Sequence, residues 1–171
     1  VDTEKLEHRM NEVKIEFRVN EKTGKSDTYL NGECVESEIR GMEVSSNVSP
    51  VAAVPFVRHA MVDLQRSYGE GGGIVMDGRD IGTTVFPNAE LKLYVVASAE
   101  VRAQRRYDEL TAKGDKVSFD DILKNVQERD YIDMNRAESP LRKAEDAIEL
   151  DNGLLTIEEQ NKWLMQVFNE K

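Results

Sequence analysis

The sequence predicts an α/β fold in which helices cover a parallel sheet, with a small antiparallel hairpin grafted onto it. Two observations support this prediction. Short apolar runs of strand length alternate with segments of helical period over the second half of the chain. Earlier, apolar and polar residues alternate strictly before an Asn-Gly turn. The 171 residues are enough for one domain with a core, and too few to expect two independent ones.

The antiparallel hairpin is predicted from period-two alternation and turn residues. The alternating apolar residues, typical of a half-buried strand, are Val13, Ile15, Phe17 and Val19. A turn over residues 20–25 leads to a second strand through Tyr29, and Asn31-Gly32 favours a type I′ turn. Residues 1–12 have the character of the end of a helix. The hairpin should therefore have one wet face.

Three short apolar runs predict the strands of the parallel sheet. They cover residues 74–76, 91–96 and 147–150. The first run is unbroken, as expected for a strand buried on both faces, and we expect the second to be buried in the same way. Three consecutive glycines over residues 71–73 separate the first run from the preceding helix.

Helix signals lie before, between and after these strands. One helix is predicted after Pro55, and another runs from a Ser98 cap to about Lys113. Ser118 and Thr156 each precede an acidic residue three positions later, which is the spacing of a capping box. The last helix is expected to bury an inner face formed by Ile157, Leu164, Val167 and Phe168.

Composition excludes several classes of function. The formal net charge of −10 argues against binding of a nucleic-acid polymer, which needs a basic face. Cys34 is the single cysteine, and His8 and His59 have no partner at ligand spacing, so we expect no metal centre. No apolar stretch is long enough to span a bilayer, and the opening residues are too polar for a signal peptide. We expect a reducing, cytoplasmic compartment.

Asp77-Gly78-Arg79-Asp80 is the first candidate for chemistry. It follows the first predicted strand of the sheet, and ligands of open α/β sheets bind at that edge. A turn with a solvated ion pair would give the same pattern. The segment that follows, residues 81–87, is too apolar for an ordinary exposed loop. We therefore expect a structured site.

Two groups of arginines are further candidates. Arg129, Asp133 and Arg136 fall on one face if the helix begun at Ser118 continues, and could hold a phosphate and a sugar hydroxyl. Spacing alone favours a salt-bridged helix surface instead. A second group, on the helix after the second strand, could form a mobile arm over transferring phosphates, or simply pair with Glu100, Asp108 and Glu109. This second group consists of Arg102, Arg105 and Arg106.

No phosphate-binding loop is credible in the printed sequence. The glycines of residues 69–73 lead into a strand and no lysine follows them. Residues 23–26 contain Gly-Lys-Ser, but they lack the first glycine and lie in a hairpin turn.

Three blocks taken together are similar to bacterial cytidylate kinases, which are nucleoside monophosphate kinases. The blocks cover residues 49–58, 77–87 and 128–136, and read SPVAAVPFVR, DGRDIGTTVFP and ERDYIDMNR. Their order and separation also fit, so the resemblance covers essentially the whole chain. It implies a P-loop NTPase-like parallel sheet flanked by helices, with a small antiparallel insertion.

The resemblance implies transfer of the γ-phosphoryl group of ATP to CMP or dCMP, with Mg²⁺, in pyrimidine metabolism. By similarity, Ser49, Arg58 and Asp80 would read the cytosine edge. Arg129 and Asp133 would hold the ribose, while Arg79 and Arg136 would bind the CMP phosphate. The short lid over the ATP phosphates would carry Arg102, Arg105 and Arg106. The residues expected to act in the transfer step itself are Arg105, Arg106 and Arg136.

The resemblance also divides the chain into two regions. Residues 1–68 would form the nucleoside monophosphate-binding region, with the hairpin at about 13–35 as its insertion. Residues 69–171 would form the core α/β region, with a lid at about 102–118. The family begins with a strand, a P-loop and its helix, and none of these precedes Val1. We therefore expect this chain alone to be inactive or nearly so, with a hydrophobic slot exposed in the sheet.

Three alternatives remain open from the sequence. A kinase for UMP or AMP is the first, although Ser49 and Asp80 favour cytosine. A non-catalytic CMP-binding fragment is the second, although it would have no use for lid arginines. A structural or interaction domain is the third, and it leaves the three blocks unexplained. We expect a monomer that binds CMP, dCMP and ATP, and neither nucleic-acid polymer nor membrane.

Overall fold

The computed structural model describes residues 2–171. It divides into two compact units, Val1–Met61 and Val62–Lys171. This division falls within one helix, whereas the family resemblance predicts a boundary between residues 68 and 69. The regional assignment and the lid limits stay predictions. The first residue of the predicted opening helix, Val1, lies outside the described residues.

The first unit holds a three-stranded antiparallel sheet with helical segments on either side in the chain. These elements are α1 (Thr3–Met10), β1 (Ile15–Val19), β2 (Ser26–Leu30), β3 (Glu33–Cys34), a 3₁₀ turn (Glu38–Arg40), α2 (Met42–Ala52) and the first half of α3 (Pro55–Tyr68). The order of strands in the sheet is β1-β2-β3. The opening helix, the hairpin and the helix after Pro55 are thus confirmed.

The turn between β2 and β3 has the backbone that its sequence demands. Asn31 and Gly32 take φ angles of 52° and 87°, and Leu30 then pairs with Glu33 across the turn. Two successive positive φ angles are the signature of a type I′ turn, which Asn-Gly adopts with little strain. The predicted hairpin turn is confirmed.

The prediction that β1 is half-buried is wrong beyond its first residue. Phe17 and Val19 are exposed, whereas Ile15 is partly covered. All three share one face, since β1 pairs with β2 as Ile15 to Leu30 and Phe17 to Thr28. Within this unit the strands pack mainly on one another rather than on a helix. Alternation therefore identified the strand but not what covers it.

The second unit holds a parallel pair of strands and the helices that surround it in the chain. Its elements after α3 are a π-helix (Ile81–Val85), β4 (Leu93–Val96), α4 (Ala99–Ala112), α5 (Phe119–Asn135), β5 (Ile148–Asp151) and α6 (Ile157–Asn169). β4 and β5 pair in parallel from Leu93 with Ile148 to Val96 with Asp151. The α/β fold class is confirmed.

The predicted helix caps are present. The hydroxyl of Ser98 accepts from the amide of Val101 at the start of α4, and that of Ser118 accepts from Asp121 at the start of α5. At α6, Thr156 and Glu159 form a complete capping box. These side chains satisfy amides that a helix N-terminus leaves without an internal partner.

The packed centre of this unit lies between α4 and α5. Ala103 and Leu110 of α4 and Ile122 of α5 are almost completely buried. The rings of Tyr107 and Phe119 meet edge-to-face at 6.3 Å between centroids. This packing fixes the face of α5 that carries the predicted site residues.

Three burial predictions for the second unit are wrong. Residues 74–76 do not form a strand, and Val75 is fully exposed, because within the described chain only β4 and β5 pair here. In β4, Val95 is exposed, so the strand is not buried on both faces. Ile157 and Phe168 of α6 are exposed too, since no described element covers that side of the helix.

No helix of residues 2–171 is long and apolar enough to cross a membrane.

Candidate active site

The Asp77-Gly78-Arg79-Asp80 motif ends at the N-cap of the π-helix. The backbone carbonyl of Asp80 accepts from the amides of Thr84 and Val85, at 2.8 and 3.2 Å. The side chain of Asp80 is almost completely buried. π-helical turns are rare and occur frequently at functional sites. The segment after this motif is therefore regular in structure, although residues 74–76 before it form no strand, and the predicted ligand site stays a prediction.

Arg66 holds the far end of the π-helix. From α3 it donates through Nη2 to the carbonyl oxygen of Thr84 at 2.8 Å and through Nε to that of Val85 at 3.3 Å. A helix C-terminus leaves its last carbonyls without partners, and an arginine satisfies them well. Sequence reasoning missed this contact, because nothing in a lone arginine on a helix indicates which distant carbonyls it will reach.

Two arginines and two carboxylates are brought together around α5. Arg79 donates through Nε to Oδ2 of Asp133 at 3.0 Å. Arg136 lies 3.6 Å from Oδ1 of Asp133 through Nη1, and 3.8 Å from Oδ1 of Asp80 through Nη2. The predicted phosphate-binding arginines thus contact two of the predicted base- and ribose-binding carboxylates. We call Arg79, Asp80, Asp133 and Arg136 the Arg–Asp cluster.

Arg136 is almost completely enclosed within the Arg–Asp cluster. Only 2% of its side chain is exposed, as for Asp80, and Asp133 is 4% exposed. Its Nε and Nη2 both donate to the carbonyl oxygen of Ser139, at 2.9 and 2.7 Å. The next turn is tied back to α5, since the amide of Leu141 donates to the carbonyl oxygen of Asp133 at 2.8 Å. Burial of a charge is tolerated only with such partners.

Arg129 lies in the electrostatic field of the same region. Burial lowers the pKa of Arg129, and the nearby charge of Arg79 lowers it further, while Asp133 and Asp130 act in the opposite direction. The carboxylate of the predicted Arg129, Asp133 and Arg136 face, that of Asp133, is therefore shared with Arg79, which lies outside that helix.

The three predicted lid arginines lie on α4 and have different partners. Arg106 pairs with Glu109 on its own helix at 2.5 Å, as the alternative interpretation foresaw. Arg105 donates to the side-chain and backbone oxygens of Asn152, at 3.0 and 2.6 Å. Arg102 donates to both carboxylate oxygens of Asp130, at 2.9 and 2.6 Å.

The partners of Arg105 and Arg102 lie far away in sequence. They are 47 and 28 residues distant, respectively, so spacing along a helix could not find them. Asp130 does fall inside the third family block, which is the one signal that pointed to it. Asn152 directly follows β5, and its own amide donates to the carbonyl oxygen of Val96 at the end of β4.

The two remaining predicted residues lie in the first unit. Ser49 on α2 and Arg58 on α3 are both buried. Such burial is unusual for the polar side chain of serine and rare for the charged side chain of arginine.

The described side chains form no closed cage for a metal ion. In residues 2–171, no group of three or more His, Cys, Asp or Glu side chains is arranged to hold an ion. Mg²⁺ commonly keeps several waters and binds through substrate phosphates with one or two carboxylates, so a closed protein cage is not required for it.

The fold and the site together indicate the class of protein to which the chain belongs. Arginines that converge with carboxylates, on an α/β scaffold whose net charge is −10, suit a small phosphorylated ligand with polar groups to be recognised. This is the class of α/β proteins that bind phosphorylated small molecules.

Comparison with known proteins supplies the family. The family model described as cytidylate kinase matches residues 1–170. A cytidylate kinase of Bacteroides thetaiotaomicron is 59% identical over 170 residues, which is 99% of this chain and 74% of the relative. One from Porphyromonas gingivalis is 59% identical over 171 residues, with the same two shares. One from Flavobacterium psychrophilum is 54% identical over 166 residues, or 97% of this chain and 74% of the relative.

The chain belongs to the cytidylate kinase family. The resemblance read from the three sequence blocks is confirmed, and so is the expectation of a phosphotransferase of the kinase class.

Proposed function

We propose that this chain serves the transfer of the γ-phosphoryl group of ATP to CMP and dCMP, with Mg²⁺. The observation that carries the proposal is the Arg–Asp cluster, in which Asp80 and Asp133 each face a buried arginine. The cluster offers carboxylate acceptors and guanidinium donors at one place. A cytidine monophosphate requires both kinds of group.

Asp80 is the proposed reader of the base. Cytosine carries an exocyclic amine, which is a hydrogen-bond donor, where uracil carries a carbonyl acceptor. A buried carboxylate accepts from the amine and repels the carbonyl, so it discriminates between the two bases. Ser49 and Arg58 of the first unit are proposed to complete recognition of the cytosine edge, on the strength of the family resemblance.

Arg79, Arg129 and Asp133 are the proposed binders of the phosphate and ribose. Arg79 uses Nε for Asp133, and 45% of its side chain is exposed, so its terminal nitrogens can reach a ligand. Asp133 can accept from a ribose hydroxyl while it holds Arg79. Arg136 is proposed to stabilise phosphate charge from within the cluster.

The proposed transfer step depends on charge stabilisation and positioning. Phosphoryl transfer needs cations around the transferring group and little covalent help from the protein. Arg105 and Arg106 of α4 are the proposed lid cations, together with Arg136. To contact phosphates they would exchange partners such as Asn152 and Glu109 for phosphate oxygens. Mg²⁺ that arrives with ATP would supply further neutralisation of the phosphates.

The test of the substrate is a calorimetric titration of the chain with CMP and dCMP, with UMP and AMP as controls. Tight binding of the cytidine nucleotides with much weaker binding of UMP and AMP supports the proposal. Equal binding of UMP or AMP would favour the kinase for another base.

The test of transfer is the formation of CDP from CMP and ATP by the gene product, with and without Mg²⁺. Loss of CDP formation on chelation of Mg²⁺ is expected. Selective CMP binding without any CDP formation would favour the non-catalytic alternative.

We further propose that the protein is a monomer and that it lies in the cytoplasm. Size-exclusion chromatography tests the first proposal and cell fractionation tests the second.

A further inference from the structure

Arg102 is held differently from the other two arginines of α4. Its two terminal nitrogens donate to both oxygens of Asp130, at 2.9 and 2.6 Å. Its Nε donates to the carbonyl oxygen of Ala97 at 3.0 Å. All three nitrogens of the guanidinium therefore have a partner in the protein. Such a two-pronged contact is among the stronger arrangements that an arginine makes with a carboxylate.

The contact joins three elements at one point. Ala97 directly follows β4, Arg102 lies in the first turns of α4, and Asp130 lies well along α5. The pair is only partly open to water, with 36% of the Arg102 side chain and 22% of the Asp130 side chain exposed. The pair fixes the start of α4 to the end of the strand and to the facing helix. We call it the α4 clamp.

Arg105 and Arg106 lie within one turn beyond the α4 clamp. The partner of Arg106 is on its own helix, and that of Arg105 is in the segment after β5. Because Arg102 comes first and is held to both the end of β4 and α5, we expect the orientation of the next turn of α4 to depend on it.

Asp130 also neighbours the residues of the proposed ligand site. It directly follows Arg129, and its charge acts on that guanidinium, as the charge of Arg106 does with the opposite sign. Asp130 thus acts on an arginine proposed for ribose, and it holds Arg102 on the helix that carries the arginines proposed for ATP phosphates. Its carboxylate is already occupied by Arg102, which makes it an organiser of the site rather than a ligand contact.

We propose that Asp130 is a positioning residue for the kinase reaction, acting through Arg102 to set the direction in which α4 presents Arg105 and Arg106. This inference rests on the proposed function in so far as those two arginines serve ATP. It also changes the role of Arg102, which becomes part of a fixed clamp instead of a cation that travels to the phosphates.

The clamp is tested first without any nucleotide, by amide hydrogen exchange over residues 99–112. Asp130→Asn and Arg102→Gln should each speed exchange in the first turns of α4 by about five-fold, since each removes the same partly buried contact. The double variant should be no faster than either single one, because both substitutions break one interaction. Asp108→Asn is the matched control, as an exposed aspartate of α4 whose loss should leave exchange unchanged.

The positioning role is tested by initial rates with ATP and CMP, measured on the gene product that is used in the transfer assay. Asp130→Asn should lower kcat/KM for ATP by about ten-fold while the Kd for CMP stays unchanged. Asp130→Glu keeps the charge and should restore part of the lost kcat/KM. A purely structural fault would instead weaken the use of ATP and the binding of CMP alike. Asp108→Asn should again behave as wild type.

Three results would overturn the inference. Unchanged exchange over α4 in Asp130→Asn is the first, and additive effects of the two substitutions are the second. A loss of ATP kinetics that is much larger in Arg102→Gln than in Asp130→Asn is the third, since it would give Arg102 a direct phosphate contact. Failure of the wild-type gene product to make CDP would instead refute the proposed function, and the exchange experiment would still decide whether the α4 clamp exists.

Discussion

Two regions of the molecule both contain ion pairs between basic and acidic side chains, but they differ in how deeply these pairs are buried. On β1 and beside it, Glu16 pairs with Lys14 and with Arg18, both at 2.6 Å; the two basic side chains are mostly exposed, and 31% of the Glu16 side chain is. In the Arg–Asp cluster the distances reach 3.8 Å, yet Asp133 and Arg136 are almost completely buried. The shorter contacts are thus on the surface. Distance alone therefore does not show which of these ion pairs matters more for stability.

Water explains why the two regions should respond differently to mutation. On the surface, solvent and salt screen the attraction, and holding two long side chains in one geometry costs conformational entropy. In a buried cluster, removal of one partner leaves the other charge without compensation in a medium that solvates it poorly. We therefore expect large effects in the cluster and small ones on the hairpin.

The largest effect is expected for Asp133→Asn. The amide keeps the shape but removes the charge that faces both Arg79 and Arg136, so the chain should lose about 3–5 kcal/mol of stability. Urea unfolding followed by circular dichroism measures this. Arg79→Gln is the companion variant, and it should cost much less because that side chain is half exposed. Equal losses in the two variants would contradict the burial argument.

The next effect in size is on ligand selectivity, in Asp80→Asn. Loss of the negative acceptor should weaken CMP binding by about ten-fold, as expected for a hydrogen bond to a charged group. The preference over UMP should narrow as well, because an amide can also donate to the uracil carbonyl. Calorimetric titration with both nucleotides measures this, with Asp108→Asn as the control. An unchanged ratio of CMP to UMP affinity would remove Asp80 from base reading.

Part of the Arg–Asp cluster could be predicted from the spacing of residues along a helix. The spacing of Asp133 and Arg136 placed them on one face of a helix, and the structure brings them within 3.6 Å. The link from Arg79 to Asp133 spans 54 residues, and no periodicity could reveal it. The family blocks assigned both residues to one ligand, but they did not predict the contact between them. Arg66 and Asn152 stayed hidden, because neither spacing nor the blocks pointed to them.

The fold was predictable wherever a residue acts on its own backbone. The caps at Ser98, Ser118 and Thr156 and the turn at Asn31-Gly32 were all correct, since each depends on a few neighbouring residues. Burial was predicted less well. An apolar run shows that a segment gains from being covered, but not which element covers it. Val75, Phe168 and Phe17 are exposed for that reason.

The smallest effect is expected on the hairpin, and it should appear in titration rather than in stability. Hydrogen bonds from Lys14 and then Arg18 lower the pKa of Glu16 to about 2, from an ordinary value of 4.5. A lowered carboxyl pKa stabilises the fold above pH 4.5 and ceases to do so as pH falls through about 2. Because Glu16 lies at the surface, solvent should leave little of this in the urea midpoint.

Replacement of each cation in turn sharpens this last prediction. Lys14→Gln should raise the pKa of Glu16 more than Arg18→Gln does, because the hydrogen bond from Lys14 is the larger cause of the shift. Both variants should keep the urea midpoint of wild type at pH 7. Carbon-detected NMR titration of the Glu16 carboxyl measures the first expectation, and a parallel unfolding curve the second. A clear fall in the midpoint at pH 7 would mean that short surface pairs stabilise this hairpin, and the contrast with the buried cluster would then be one of degree.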